Sequence, residues 1–136
     1  MAEEVKSIAI LGGTGDLGWG LARQWSRAGY QVLIGSRTLE KGEAAAKALI
    51  DEFPDLNVTG HENADAASKA DVVVMTVPFE HQASTLETVR EALLGKILVD
   101  TTVPLVPPKV GTVQLPEGGC AAQRAQAVLG LSLIHI

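Results

Sequence analysis

The residues best suited to chemistry are the glycines of the segment GGTGDLG, which directly follows the apolar run at residues 7–11. Gly13, Gly15 and Gly18 form the pattern G-x-G-x-x-G where a predicted strand leads into a predicted helix. The first N–H groups of a helix have no partner inside it, and together with the helix dipole they bind phosphate without a basic side chain. We therefore predict that Gly13 permits the tight turn, Gly15 admits a diphosphate, and Gly18 lets the helix pack closely on the sheet. The alternative is a strand-to-helix connection that binds nothing.

Charged residues near these glycines indicate which nucleotide the segment would take. Asp16 carries a charge that a bound diphosphate would repel, so its side chain is expected to point away and to cap the helix. NAD-selective sites usually place an acidic residue at the end of the second strand, whereas this chain has Ser36 and Arg37 there. A guanidinium suits a 2′-phosphate, and Lys41 supplies a second positive charge nearby. The pattern predicts NADP(H); the alternative for both cations is a solvated surface charge.

A third candidate segment, TVPFEHQ at residues 76–82, lies at the carboxyl end of another predicted strand. In doubly wound sheets ligands bind at the carboxyl ends of the strands, so Val77 and Pro78 are expected to border the nicotinamide ribose. His81 invites an acid-base role, but a histidine at the start of a helix is more often structural or exposed, and we favour that interpretation. Residues 101–103, after the next strand, line the nicotinamide pocket or form a structural loop; both interpretations stay open.

The short apolar runs of the sequence are predicted to be the strands that position these segments. They alternate with longer stretches of helical period, which is typical of βαβ units and a parallel sheet. The runs read as strands buried on both faces, at Ser7–Leu11, Gln31–Ile34, Val72–Val77 and Ile97–Val99, with a weaker edge strand at Asn57–Gly60. The predicted fold is an α/β, Rossmann-type doubly wound parallel sheet in the order 3-2-1-4-5.

Five helices are predicted from apolar residues at helical spacing. The first helix has an apolar stripe of Leu17, Leu21, Trp25 and Ala28 and ends at Gly29, and the second runs from Thr38 to before Pro54. Asn63 caps a short third helix. Leu86, Val89 and Leu93 mark a fourth helix, which ends at Gly95, and Ala122, Ala125 and Leu129 mark the fifth. The helices and strands together predict one NADP-binding domain over residues 1–130.

Composition narrows the possible functions. The chain has 136 residues, 46% of them hydrophobic, and a formal net charge of −5, which disfavours nucleic-acid binding because no basic face is available. The acidic start MAEEVK is unlike a signal peptide, and no apolar run has the roughly 18 residues of a membrane span, so a cytoplasmic protein is expected. Cys120 is the single cysteine and is interpreted as a packed or surface residue. No metal site is predicted.

The last six residues, LSLIHI at 131–136, form an apolar segment that nothing follows. Two interpretations stay open for this tail: the opening of a sixth strand, or residues foreign to the natural chain. Either way the domain is expected to be truncated.

Four blocks of the sequence, between Ile8 and Pro108, resemble the F-420-dependent NADP oxidoreductase family: AILGGTGDLGWGLA, IGSR, NADAASKADVVVMTVPFEH and ILVDTTVPLVPP. The resemblance implies hydride exchange between NADP(H) and the deazaflavin coenzyme F-420. It also implies that the NADP contacts are Thr14, Gly15, Asp16, Leu17, Ser36, Arg37, Lys41, Val77 and Val103. Much of the deazaflavin pocket and the contacts of a homodimer would then lie beyond residue 136, in the last strands and a smaller C-terminal domain.

Hydride transfer needs two rings held close together and little proton chemistry, so no catalytic side chain is expected. Two alternatives keep the fold and change the role. One is another NADP-dependent dehydrogenase of the prephenate, imine or phosphogluconate type, and the other is a non-catalytic NADP sensor. Fold alone does not choose between them.

Overall fold

The computed structural model describes residues 5–102, 120–129 and 134–135. Its strands are β1 (Ser7–Leu11), β2 (Gln31–Ser36), β3 (Val58–Glu62), β4 (Val72–Met75), β5 (Ile97–Asp100) and β6 (Ile134–His135). They form one sheet in the order β3-β2-β1-β4-β5-β6, and every neighbouring pair is parallel. The predicted order is confirmed, with β3 at one edge. The possible sixth strand is present, paired with β5 through Val99 and Asp100.

The helices are α1 (Asp16–Arg27), α2 (Leu39–Glu52), α3 (Asn63–Lys69), α4 (Gln82–Val89) and α5 (Ala121–Leu129), and a short 3-10 helix, Phe79–His81, precedes α4. All five predicted helices are confirmed. Thr38 begins α2 as predicted, because its hydroxyl accepts a hydrogen bond from the backbone N–H of Lys41. The apolar stripe of α4 extends past the helix: Leu93 is buried in the turns that follow it. No helix among the described residues is long and apolar enough to cross a membrane.

The core lies on both faces of the sheet, which explains the continuous apolar strands. In β1, Ala9 and Leu11 pack into one cluster while Ile8 and Ile10 pack into another. Successive side chains of a strand point to opposite faces, so every residue of a doubly covered strand must be apolar or small. Helices α1 and α2 contribute to the cluster of Ile10, whereas α3, α4 and α5 contribute to the cluster of Leu11.

The chain changes from one side of the sheet to the other between β1 and β4. Helix α1, which follows β1, packs on one face, and α4, which follows β4, packs on the opposite face. The carboxyl ends of these adjacent strands therefore open into a crevice between two diverging connections, the position at which doubly wound sheets bind ligands.

Candidate functional site

The turn between β1 and α1 needs glycine at different positions for different steric reasons. Gly12 has φ +74°, a left-handed conformation that favours glycine, so the tight-turn role predicted for Gly13 belongs to Gly12. Gly13 is required by close packing instead, since a Cβ there would lie 2.9 Å from Ile34 Cγ2 and 3.0 Å from the carbonyl oxygen of Ile10. Its backbone N–H donates to the carbonyl of Gly35, at 3.0 Å.

Gly15 and Gly18 have the surroundings expected of their predicted roles. A Cβ on Gly15 would meet only the carbonyl oxygen of Gly12, at 3.6 Å, so the space beside this residue is open on the ligand side. A Cβ on Gly18 would lie 2.6 Å from Thr76 Oγ1 and 2.7 Å from the Cα of Gly13. The first turn of α1 therefore sits directly against the end of β4, while the space beside Gly15 is open.

Helix α1 begins without a side-chain cap. Gly15 occupies the N-cap position, and no side chain hydrogen-bonds the free amides there, so the capping role predicted for Asp16 is wrong. Asp16 is exposed in the first turn, where the helix dipole favours a negative charge. The amides of Asp16, Leu17 and Gly18 precede the first intrahelical hydrogen bond and have no carbonyl within the helix to bind. Because Asp16 and Leu17 are exposed whereas Gly18 is buried, the amides of Asp16 and Leu17 are the ones within reach of an anion.

A cavity of about 330 Å³ lies in the crevice and gathers most of the predicted site. The predicted residues that line it are Thr14, Gly15, Asp16, Leu17, Ser36, Arg37, Val77 and Pro78, and the remaining lining residues are Gly12, Asn63, Thr76, His81 and Thr85. Gly13 and Gly18 are buried behind its wall. Lys41 is exposed on the first turn of α2 and is not part of the lining, and Val103 lies outside the described residues.

Ser36 and Arg37 stand at the carboxyl end of β2, where the cavity continues into a second one of about 280 Å³. Ser36 is buried and Arg37 is exposed. No ion pair within residues 5–102, 120–129 and 134–135 involves Arg37, so its guanidinium is free to bind an anion. Glu62, the neighbour of Ser36 across the strand pair, also lines the second cavity.

Sequence reasoning missed two polar residues that touch the glycine turn. Asn63 was expected to cap α3, but it is the first residue of that helix, and its Oδ1 accepts a hydrogen bond from the N–H of Gly12 at 3.4 Å. The hydroxyl of Thr76 is shared between the carbonyl oxygens of Leu11, at 2.9 Å, and Gly12, at 3.2 Å. The sequence had placed Thr76 inside the fourth strand and Asn63 at the start of the third helix, so only their nearness to the carboxyl ends of predicted strands could have identified them.

The hydroxyls that follow β5 are engaged in the fold. Thr101 Oγ1 donates to the carbonyl of Met75 at 2.8 Å, and Thr102 Oγ1 donates to Asp100 Oδ1 at 2.7 Å. Buried Gln82, unanticipated from the sequence, places its Nε2 2.8 Å from Asp100 Oδ2 and 2.8 Å from Thr102 Oγ1. For Thr101 and Thr102 these contacts favour the structural interpretation.

His81 lines the cavity from the short 3-10 helix but is held loosely. Its nearest acidic partner is Glu80, whose Oε1 lies 3.5 Å from the imidazole Nε2. Nearly half of the imidazole is exposed, with 45% of its surface accessible. A general acid or base is normally oriented by a closer partner, so the geometry favours the non-catalytic interpretation.

Three groups with displaced pKa values lie outside the cavity. Hydrogen bonds from His61 and Lys69 lower the pKa of Asp65, and backbone N–H groups at the start of β1 lower the pKa of Asp71. Desolvation lowers the pKa of Lys96. Within the described part of the chain, no group of three or more His, Cys, Asp or Glu side chains could hold a metal ion.

The parallel sheet, the change of side between β1 and β4, and the glycine turn at the start of α1 define a dinucleotide-binding domain of the Rossmann type. Comparison with known proteins identifies the family to which this domain belongs. Residues 7–104 match the model of the family described as NADP oxidoreductase coenzyme F420-dependent, and the chain belongs to this family.

Curated proteins similar to this chain are named F420-dependent NADP reductases. The chain is 50% identical over 100 residues to an F420-dependent NADP reductase of Methanothermobacter marburgensis, covering 72% of this chain and 45% of the relative. It is 41% identical over 129 residues to the F420-dependent NADP reductase of Methanocaldococcus jannaschii, covering 90% and 57%. A crystal structure from Arthrobacter sp. FB24, described as an F420-dependent NADP reductase, superposes with a TM-score of 0.77 at 25% identity, covering 97% of this chain and 61% of that one. The chain spans about half the length of the curated relatives it matches.

Proposed function

We propose that this chain is the NADP(H)-binding portion of an oxidoreductase that transfers a hydride between NADP(H) and the deazaflavin coenzyme F-420. Membership of the family supports the reaction, and the names of the relatives favour it over a non-catalytic NADP sensor. The whole enzyme would need the region that the relatives have and this chain does not span.

The observation that carries the proposal is the placement of Arg37. Its guanidinium, which forms no ion pair with any residue that the structure describes, lines the same cavity as the open face of Gly15 and the first-turn amides of α1. A diphosphate at those amides would leave the adenosine ribose near the end of β2, where an NAD-selective site has an acidic residue. Arg37 and Ser36 are there instead, and both suit the additional phosphate of NADP.

The remaining residues have roles in positioning. The amides of Asp16 and Leu17 bind the diphosphate. Lys41, which does not line the cavity, adds a positive charge that acts at longer range than that of Arg37. Val77, Pro78 and Val103 border the nicotinamide. The nicotinamide and the deazaflavin supply the reacting carbon atoms and the hydride. The protein's contribution is to hold the nicotinamide in place and exclude water, so no side chain needs to move a proton. His81 therefore has no step assigned to it.

Calorimetric titration with NADPH and NADH tests the proposal on this chain. Wild-type protein should prefer NADPH, and Arg37→Glu should abolish or reverse the preference because a carboxylate repels the 2′-phosphate. Arg90→Glu makes the same charge change at an exposed arginine just after α4, outside the cavity lining, and should leave the preference unchanged. Equal NADPH to NADH affinity ratios for wild type and Arg37→Glu would contradict the assignment.

The reaction itself is tested on the intact protein. Mixing it with NADPH and oxidised F-420 should bleach the deazaflavin absorbance, and the reverse mixture should restore it. An intact protein that binds NADPH without either change would contradict the F-420 reaction and leave the two alternatives, another NADP-dependent dehydrogenase or a sensor. The intact enzyme is also proposed to be a homodimer, as the family resemblance implies, and to be cytoplasmic, as the acidic start and the short apolar runs of the sequence suggest. Sedimentation and cell fractionation of the intact protein would test these two expectations.

A further inference from the structure

Both peptide groups of Gly12 are held by side chains that reach the turn from different neighbouring connections. Asn63, at the start of α3, accepts from the Gly12 N–H, and the hydroxyl of Thr76, just after β4, is shared between the carbonyls of Leu11, at 2.9 Å, and Gly12, at 3.2 Å. In sequence these residues are 51 and 64 positions away from Gly12. Gly12 is the residue with positive φ on which the direction of the turn depends. Two contacts from outside the turn therefore help to set its conformation.

Each of the two side chains occupies space that a glycine on another element leaves open. A Cβ on Gly35, in β2, would lie 2.7 Å from Asn63 Oδ1, and a Cβ on Gly18, in α1, would lie 2.6 Å from Thr76 Oγ1. Asn63 is only 6% exposed, so most of its side chain is packed against other residues. At 3.4 Å its hydrogen bond to Gly12 is long, and packing against Gly35 contributes to fixing it.

The turn that these residues hold also orients the open face of the site. The Gly12 carbonyl accepts a hydrogen bond from the N–H of Gly15 at 3.1 Å, and Gly15 is the N-cap of α1. A rotation of the Gly12 peptide would therefore displace Gly15 and the amides that follow it. Preorganised groups bind more tightly because ordering them costs nothing at the moment of binding.

We propose that Asn63 and Thr76 are positioning residues for the diphosphate: by fixing the two peptide groups of Gly12, they hold the first-turn amides of α1 in the orientation that binds the ligand. This inference rests on the proposed NADP(H) function. It assigns the two residues to the diphosphate part of the ligand and not to the 2′-phosphate, which belongs to Arg37.

The test compares ligands that differ in one part, titrated calorimetrically into the 136-residue chain. NADPH and 2′-phospho-ADP-ribose carry the diphosphate, whereas adenosine 2′-monophosphate lacks it. Asn63→Ala and Thr76→Val should each weaken the first two ligands by roughly fivefold to tenfold, the effect of one hydrogen bond lost from a preorganised site. Neither change should weaken adenosine 2′-monophosphate. Arg37→Ala should weaken adenosine 2′-monophosphate as well as NADPH.

Two further variants separate positioning from loss of stability. Thr76→Ser keeps the hydroxyl and should restore affinity close to that of wild type. Ser26→Ala removes another buried hydroxyl from α1, one that donates to the Ala22 carbonyl at 2.6 Å far along the helix, and should lower the melting temperature without changing any affinity.

The outcomes are distinguishable. Wild-type protein that binds NADPH, with Asn63→Ala and Thr76→Val variants that bind it equally well, would overturn this inference and leave the proposed function standing. Equal weakening of adenosine 2′-monophosphate would overturn it too, because the residues would then act on another part of the ligand. No binding of NADPH by the wild type would contradict the proposed function and with it this inference.

Discussion

Ser7 and Asp71 hydrogen-bond to each other in both directions at the amino ends of β1 and β4. The Asp71 carboxylate accepts from the backbone N–H of Ser7 at 3.2 Å, and the Ser7 hydroxyl accepts from the backbone N–H of Asp71 at 2.9 Å. The same carboxylate accepts from the N–H of Lys6 at 3.0 Å. The two strands whose carboxyl ends border the cavity are thus tied together at their opposite ends.

Replacing Asp71 should change how stability depends on pH. Backbone hydrogen bonds lower the pKa of Asp71 below its usual 3.8. The folded state therefore favours the ionised carboxyl, and its contribution is full above the unfolded pKa and is lost as the pH falls through the lower folded pKa. Asp71→Asn should be less stable than wild type at pH 7, and the gap should close on acidification below about pH 4. Urea denaturation at several pH values measures this.

The control for Asp71→Asn is Asp55→Asn, at an exposed aspartate after α2. It removes the same charge without removing the strand contact, so its free energy of unfolding should stay close to that of wild type at every pH. A gap between Asp71→Asn and wild type that is constant with pH would contradict the role given to the carboxylate.

Gly12→Ala should be the most damaging change among three glycine substitutions. A Cβ there adds left-handed strain and would lie 2.7 Å from Val77 Cγ1, so the free energy of unfolding should fall by about 2 kcal/mol or more. Gly29→Ala has φ +103° but open space around the new Cβ, and should cost roughly 1 kcal/mol. Gly20→Ala, inside α1 with open space, should stabilise by roughly 0.5–1 kcal/mol. Denaturant titration ranks the three, and any other order would contradict the steric account.

Gly15→Ala should separate binding from folding. Because its Cβ would meet only the Gly12 carbonyl oxygen, at 3.6 Å, the free protein should keep nearly all of its stability. The same methyl group would occupy the space beside the first-turn amides, so NADPH affinity should fall about tenfold or more. Thermal unfolding and calorimetric titration of one preparation give both quantities. An unchanged affinity would mean that the diphosphate does not approach Gly15.

Gln82→Glu should introduce a buried conflict of charge. The Gln82 amide nitrogen lies 2.8 Å from Asp100 Oδ2 in a buried contact, so a glutamate oxygen there would face a carboxylate. Two carboxyls at that distance raise the pKa of one of them, and the variant should lose about 3 kcal/mol of stability at pH 7. The loss should shrink as the pH falls and the pair takes up a proton. Gln82→Met, which adds no charge, should show a smaller loss at pH 7, and an equal or larger loss in Gln82→Met would contradict this account.

The residue pattern alone predicted the order and the type of the elements. Continuous apolar runs such as Val72–Met75 identify strands covered on both faces, and the helical stripes between them require a parallel sheet with crossovers. The same local pattern indicated the amide site at Gly15 and the 2′-phosphate preference at Arg37, because glycine spacing and the residue ending β2 are read directly from the chain.

Tertiary structure decided which atoms those local patterns would meet. That Gly12 and not Gly13 carries the left-handed turn, that Asn63 binds the turn and does not cap its own helix, and that Gln82 reaches Asp100 all depend on partners from other elements. Periodicity along a chain reports which face of an element is buried, since burial is averaged over many residues. Single hydrogen bonds between distant residues depend on strand register and side-chain packing, which exist only once the sheet has formed.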